Sequence, residues 1–198
     1  IANQIITRKD CVICLSTGRT PGNMHRKVVE IYRNSVFDTS ALTITGVDEV
    51  VNVPREYAGA CYTMLRNEIV DGLEIREENF LMLPTVSEDF EKSCEAFKSE
   101  LERRGGIDLL ILGLGENGHL GFNQPGTSFD STAWVTEMNT ELEERIRRET
   151  RTPADIWLGG VTLGLKDIMN AKRIILVAKG ANKAEAVRKM IRGPLTED

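Results

Sequence analysis

Continuous apolar runs alternate with amphipathic stretches along this chain, and that alternation most constrains what it can fold into. CVICLSTG (11–18), IDLLILGLG (107–115) and RIILVAKG (173–180) are each apolar without a polar face and end in small residues. Such runs are too short to cross a membrane, which takes roughly 20 apolar residues as a helix. They read instead as strands buried on both faces. ALTITGVDEV (41–50) reads as a further strand of the same kind. After the first strand, Met24, Val28 and Ile31 recur at helical spacing. CYTMLRNEIVDGL (61–73), EDFEKSCEAFKSELERRGG (88–106) and NKAEAVRKMIRG (182–193) supply further helices, with Gly105 and Gly106 as a helix stop. Buried strands alternating with helices predict an α/β, three-layer Rossmann-like fold, with a mainly parallel sheet and helices on both faces. A chain of 198 residues suits a single domain spanning 1–198. It begins at Ile1 without a methionine, and both ends read as trimmed.

A formal net charge of −5, with no extended Lys/Arg run, argues against nucleic acid as a partner. An anionic small molecule remains compatible, since a local pocket can be positive on an acidic protein. Cys11 and Cys14 have CxxC spacing but lie in a strand-like run, where residues three apart face opposite sides of the sheet. With no second pair to complete a metal site, they read as buried apolar residues of a reduced, cytoplasmic protein.

Ligands of parallel α/β sheets bind where strands hand over to helices, and the chemically interesting residues fall at such ends. STGRTP (16–21) joins a strand to a helix. Gly18 permits close backbone approach, while Thr17, Thr20 and Arg19 can add contacts to an anion at the helix N-terminus. The same loop reads equally as a capped helix start. GVDEV (46–50) places Asp48 and Glu49 at a strand end, as a general base or as a cap for the next turn. GLGENGHLGFNQP (113–125) sets His119 among Gly113, Gly115, Gly118 and Gly121, where a histidine suits proton transfer. Gly113, Gly115 and Gly118 match G-x-G-x-x-G spacing, but no acidic ribose partner stands at the expected distance. Lys183, after the last strand, is either solvated or reaches an anion. Residues 138–155, highly charged, form either a mobile lid or a solvated helix.

Taken in this order, the loops resemble those of the hexosamine-6-phosphate deaminase/isomerase family, with 6-phosphogluconolactonases as more distant kin. The likeness runs from CVICLSTGRTP through RRGGIDLLILGLGENGHLGFNQPG to TLGLKDIMNAKRIILVAKGANKAEAV. RRGGIDL and VTLGLKDIMNA look closest to galactosamine-6-phosphate isomerases. The resemblance implies that Thr17, Gly18, Arg19, Thr20 and Lys183 hold a substrate phosphate, with Gly113 and Gly115 lining the site. It implies that Asp48 moves protons between C1 and C2, and that His119 assists ring opening. Family lids can supply an arginine to the substrate, and the motif does not assign that role among Arg145, Arg147 and Arg148. No metal or organic cofactor is implied, and the partner is a small sugar phosphate, with a homo-oligomer compatible. The family motif reads FNEP where this chain has FNQP, so Gln124 and Asn117 leave His119 without a carboxylate in its own loop. Glu116 or Glu49 could substitute. The competing readings are a catalytically weakened sugar-phosphate-binding homologue and a lactonase-like hydrolase. GHLGFNQP in place of the lactonases' GHTAS-like sequence argues against the latter.

Overall fold

The computed structural model describes residues 1–35 and 37–197; the side chain of Arg19 lies outside the described set. The central sheet has five parallel strands: β1 (Val12–Leu15), β2 (Thr43–Gly46), β4 (Phe80–Leu81), β5 (Leu109–Gly113) and β8 (Ile174–Val177). Their order is β4-β2-β1-β5-β8. The chain winds outward from β1 in both directions, so a crevice opens between the carboxyl ends of β1 and β5.

Strand alternation sorts the core into two layers. Ile13 and Leu15 pack with Val28 and Val29 of helix α2 (Arg19–Ser35), and with Leu65, Ile69 and Leu73 of the helical run that α3 (Cys61–Leu65) begins. Val12 and Cys14 face the other way, toward Phe97 and Leu101 of α4 (Phe90–Arg103) and Ile168 of α6 (Leu165–Met169). Cys11 and Cys14 accordingly sit in different core layers. Asp89 caps α4 by accepting from the Lys92 amide, and Gly105 and Gly106 end it with φ of 93° and 72°. The three-layer α/β architecture is as the apolar pattern predicts, but β8, read as buried on both faces, is an edge strand paired with β5, and its Ile175 is exposed.

The region 41–51 corrects the prediction. It is two strands in two sheets, because the chain bends after Gly46. Val47 donates to the Leu15 carbonyl, and its own carbonyl accepts from Leu163. The chain thus leaves the parallel sheet and enters β3 (Asp48–Val51), antiparallel to β7 (Gly159–Thr162), which also pairs with β6 (Trp134–Thr136). Two glycines let β7 accept bulky cover: the Phe122 ring lies where a Cβ on Gly160 would project, and Trp157 does the same at Gly159.

The charged segment 138–155 contains a docked helix, α5 (Thr140–Thr150), capped by Asn139. Ile146 is buried in a small cluster with Val50, Val53 and Leu158, and Met138 and Leu142 pack against it. Tyr57 donates to Glu149. Leu142 and Ile146, one turn apart, give the helix an apolar face among its charges, and Met138 packs beside them from just before the cap.

Candidate active site

Four chain segments meet in an open cleft of about 670 Å³ at the carboxyl end of the parallel sheet. Thr17 comes from the β1–α2 loop and Thr20 from the first turn of α2, Asp48 from β3, Gly113 from the end of β5 with Gly115 and His119 from the loop after it, and Lys179 and Lys183 from the turn after β8.

On the first wall, Gly18 adopts φ 117°, which an L side chain rarely tolerates, and lets the loop turn into α2. No residue of the first turn of this 17-residue helix is acidic; the carboxylate packed against it, Glu68 beside Gly22, is paired with His25 and Arg26. Ser16 is not an available donor: its hydroxyl donates to the Ile111 carbonyl (2.8 Å) and accepts from the Gly113 amide (3.0 Å). It instead clasps the ends of β1 and β5 together. Opposite, neither Lys179 nor Lys183 is paired with a carboxylate among the described residues. A helix N-terminus, two threonine hydroxyls and two lysines make an anion cradle. The role expected for Arg19 falls on a side chain outside the described set.

The carboxylate pair divides its labour. Glu49 is buried and accepts from the amides of Val50 (2.8 Å), Cys61 (2.8 Å) and Tyr62 (2.6 Å). It is the cap that holds α3, and it is not a partner for His119. Asp48, one residue earlier on the opposite strand face, looks into the cleft. Burial, reinforced by the charge of Glu49, pushes its carboxyl up to about 6, against a lowering hydrogen bond from Cys61. Such a group is poised to exchange protons near neutrality. Gly121 backs it at φ 60°: a Cβ there would fall 2.6 Å from Thr162 Oγ1 and 3.4 Å from Asp48 Oδ2.

His119 rests against Gly115, where a Cβ would run into the imidazole. Its Nδ1 lies 2.7 Å from Asn117 Oδ1, an acceptor without a proton, so Nδ1 carries the hydrogen and Nε2 is left for the cleft. Asn117 in turn donates to Gln124 Oε1 at 3.0 Å. The Gln124–Asn117–His119 chain therefore fixes the ring's tautomer and orientation without charging it. Burial, then Lys183, lowers the His119 pKa, while Glu116 raises it. Glu116 acts only through space, since its carboxylate accepts from Asn182 beside Lys183. Asn117 and Gln124 stand behind His119 and do not line the cleft with it.

Three supporting residues escaped the sequence reading. Asn123, buried, donates to the Leu120 and Leu163 carbonyls and accepts from Trp134, pinning the histidine loop to the antiparallel sheet. Thr162 accepts from the Phe122 amide. Cys61 touches both Thr17 and Asp48. Thr162 and Cys61 find these partners in segments distant in sequence, so no local motif marks them; Asn123 lies inside the FNQP stretch, but its contact with Leu163 forms only on folding. On α5, Arg147 is held by Glu143 and the Pro153 carbonyl, whereas Arg145 and Arg148 line a separate concavity of that helix.

The family model described as glucosamine-6-phosphate isomerases/6-phosphogluconolactonase matches residues 1–198. The chain belongs to this family. Among its relatives, a glucosamine-6-phosphate deaminase of Lysinibacillus sphaericus (strain C3-41) is 34% identical over 197 residues, covering 98% of this chain and 82% of the relative. One from Clostridium botulinum (strain Loch Maree / Type A3) is 33% identical over 195 residues, covering 98% and 80%. A solved structure of a monomeric glucosamine-6-phosphate deaminase superposes with a TM-score of 0.88 at 27% identity, covering 99% of this chain and 81% of its own. The 6-phosphogluconolactonase of Thermotoga maritima shares the fold, with a TM-score of 0.73 at 20% identity, covering 97% and 81%. The family read from the loop motifs is thereby established. Among the described residues, no helix is long and apolar enough to cross a membrane.

Proposed function

We propose that this chain is an amino-sugar-6-phosphate isomerase/deaminase, converting galactosamine-6-phosphate or glucosamine-6-phosphate to a ketohexose 6-phosphate and ammonia. The carrying observation is a single cleft with an anion cradle at one side, a carboxyl raised to about 6 at Asp48, and a histidine with Nε2 free. Free cysteines at 11, 14, 61 and 94 support a reducing, cytoplasmic setting.

In this reading the phosphate docks among Thr17, Thr20, the α2 N-terminus and Lys183. Remote binding energy then fixes C1 and C2 against Asp48. Neutral His119 accepts the anomeric hydroxyl proton through Nε2, and the ring oxygen takes up a proton as its bond to C1 breaks, freeing the aldehyde. Ionised Asp48 removes the proton from C2, the electron pair forms the C1–C2 double bond, and the aldehyde oxygen is protonated. Return of a proton to C1 gives a C2 iminium. Water adds at C2 and ammonia departs, leaving the ketone.

Ammonia release, assayed on both amino-sugar phosphates, tests this. Turnover should rise with pH through about 6 as Asp48 ionises, and Asp48→Asn should abolish it. Absence of ammonia from both substrates would overturn the assignment. The uncharged chain behind His119 favours a second reading, a sugar-phosphate-binding homologue with slow turnover. It predicts binding of hexose 6-phosphates without product.

A further inference from the structure

Cys61 opens α3 with its buried thiol between two groups that reach the cleft from different elements. Thr17 Oγ1 stands 3.3 Å from the sulfur, and Asp48 Oδ1 stands 3.5 Å from it. The Cys61 amide is already anchored by Glu49, so the side chain's position is fixed from behind.

We propose that the Cys61 thiol is a positioning residue that relays occupancy of the Thr17 anion cradle to the proton-accepting carboxylate of Asp48. The relay rests on the reading of Thr17 as a phosphate contact. A thiol has one proton to direct, and an ionised carboxylate is its stronger acceptor. Burial and the charges of Asp48 and Glu49 push the Cys61 thiol well up, so the sulfur keeps that proton. With the cleft empty, Thr17 donates to sulfur and sulfur donates to Asp48. A phosphate at the cradle is a better acceptor than sulfur and draws the Thr17 proton to itself. The sulfur, no longer polarised by the Thr17 donation, becomes a weaker donor to Asp48. A carboxylate with a weakened donor holds a proton more tightly, which makes it the stronger base toward C2. Only the direction of the Thr17 hydroxyl and the strength of the thiol hydrogen bond change, and no covalent bond is broken.

Other groups also face Asp48. Glu49 follows it on β3, and Cys14 on β1 has a thiol that burial and then Asp48 push up. His119, Lys179 and Lys183 share the cleft. These groups, like the phosphate charge, act on Asp48 whether or not a sulfur is present. Variants at Cys61 and Thr17 therefore isolate the relay.

The test is a titration of Asp48 by carbon NMR on aspartate-labelled protein, with and without inorganic phosphate. In Cys61→Ala the phosphate-free midpoint should lie about half a pH unit above wild type. Its further rise on adding phosphate should be smaller than in wild type, and Cys61→Ser should restore the wild-type pattern. Thr17→Val, an isosteric change at the other end, removes the donation to sulfur, so the phosphate-free midpoint should lie above wild type and the phosphate response should shrink. Equal phosphate responses in wild type and either relay variant would overturn the inference. Failure of phosphate to perturb Thr17 and Lys183 resonances would instead remove the cradle reading, and the relay with it.

Discussion

Asp48→Asn should cost activity and return stability, and the exchange should depend on pH. In the fold the carboxyl keeps its proton up to about 6, against a reference value of 3.8, because ionisation leaves a charge with little water beside Glu49. At a pH below the reference value both states hold the proton, and the side chain costs the fold nothing extra. As pH rises toward 6, the unfolded chain gives up its proton first, so wild-type stability falls. Beyond about 6 the penalty is complete. At about 1.4 kcal/mol per pH unit, the interval amounts to about 3 kcal/mol. Asparagine keeps an acceptor for Cys61 and carries no charge, so the variant should recover about 1–3 kcal/mol at pH 8. At about 2–4 °C per kcal/mol for a chain of this size, its Tm should rise by several degrees. Urea or thermal unfolding of both proteins at pH 4 and pH 8 reads the difference directly, and the variant's advantage should nearly vanish at pH 4. Turnover should fall by at least about 10²-fold. A variant less stable than wild type at pH 8, or equally displaced at both pH values, would refute the electrostatic argument.

Three further outcomes follow from the site's geometry. Gln124→Glu preserves the acceptor for Asn117 and adds a charge, so the His119 titration, read by proton NMR, should move up by about half a pH unit. Gly115→Ala drives a methyl into the imidazole, and kcat should drop by about 10²-fold with the core intact by circular dichroism. Glu49→Gln replaces one acceptor oxygen with an amide that cannot serve three backbone donors, and urea unfolding should show a loss of about 2–4 kcal/mol.

Much of the architecture is local information. The apolar runs at 12–15 and 109–113 are buried in the parallel sheet as their pattern requires, and α4 beside them carries its own cap and stop, whereas the equally apolar run at 174–177 is an edge strand that leaves Ile175 exposed. Asp48 and His119 were legible as candidates because glycines and strand ends isolate them. The division between Asp48 and Glu49 was not, since either could cap or titrate until α3 fixed which one faced its amides. Nor was the crossing at Val47: strand-forming residues at 48–51 do not encode which sheet they join, and glycine-bearing β7, more than a hundred residues later, supplies the partner.

The sequence by itself determined the fold class, the four loops and the family. Tertiary structure alone decided how those loops act on one another. Folding put a neutral amide chain behind His119, spent Ser16 on the sheet, and set the Cys61 sulfur between Thr17 and Asp48. The physical reason is one of range. Periodicity and turn chemistry act over a few residues. Hydrogen-bond direction and desolvation depend on groups that only the folded chain brings within a few ångströms.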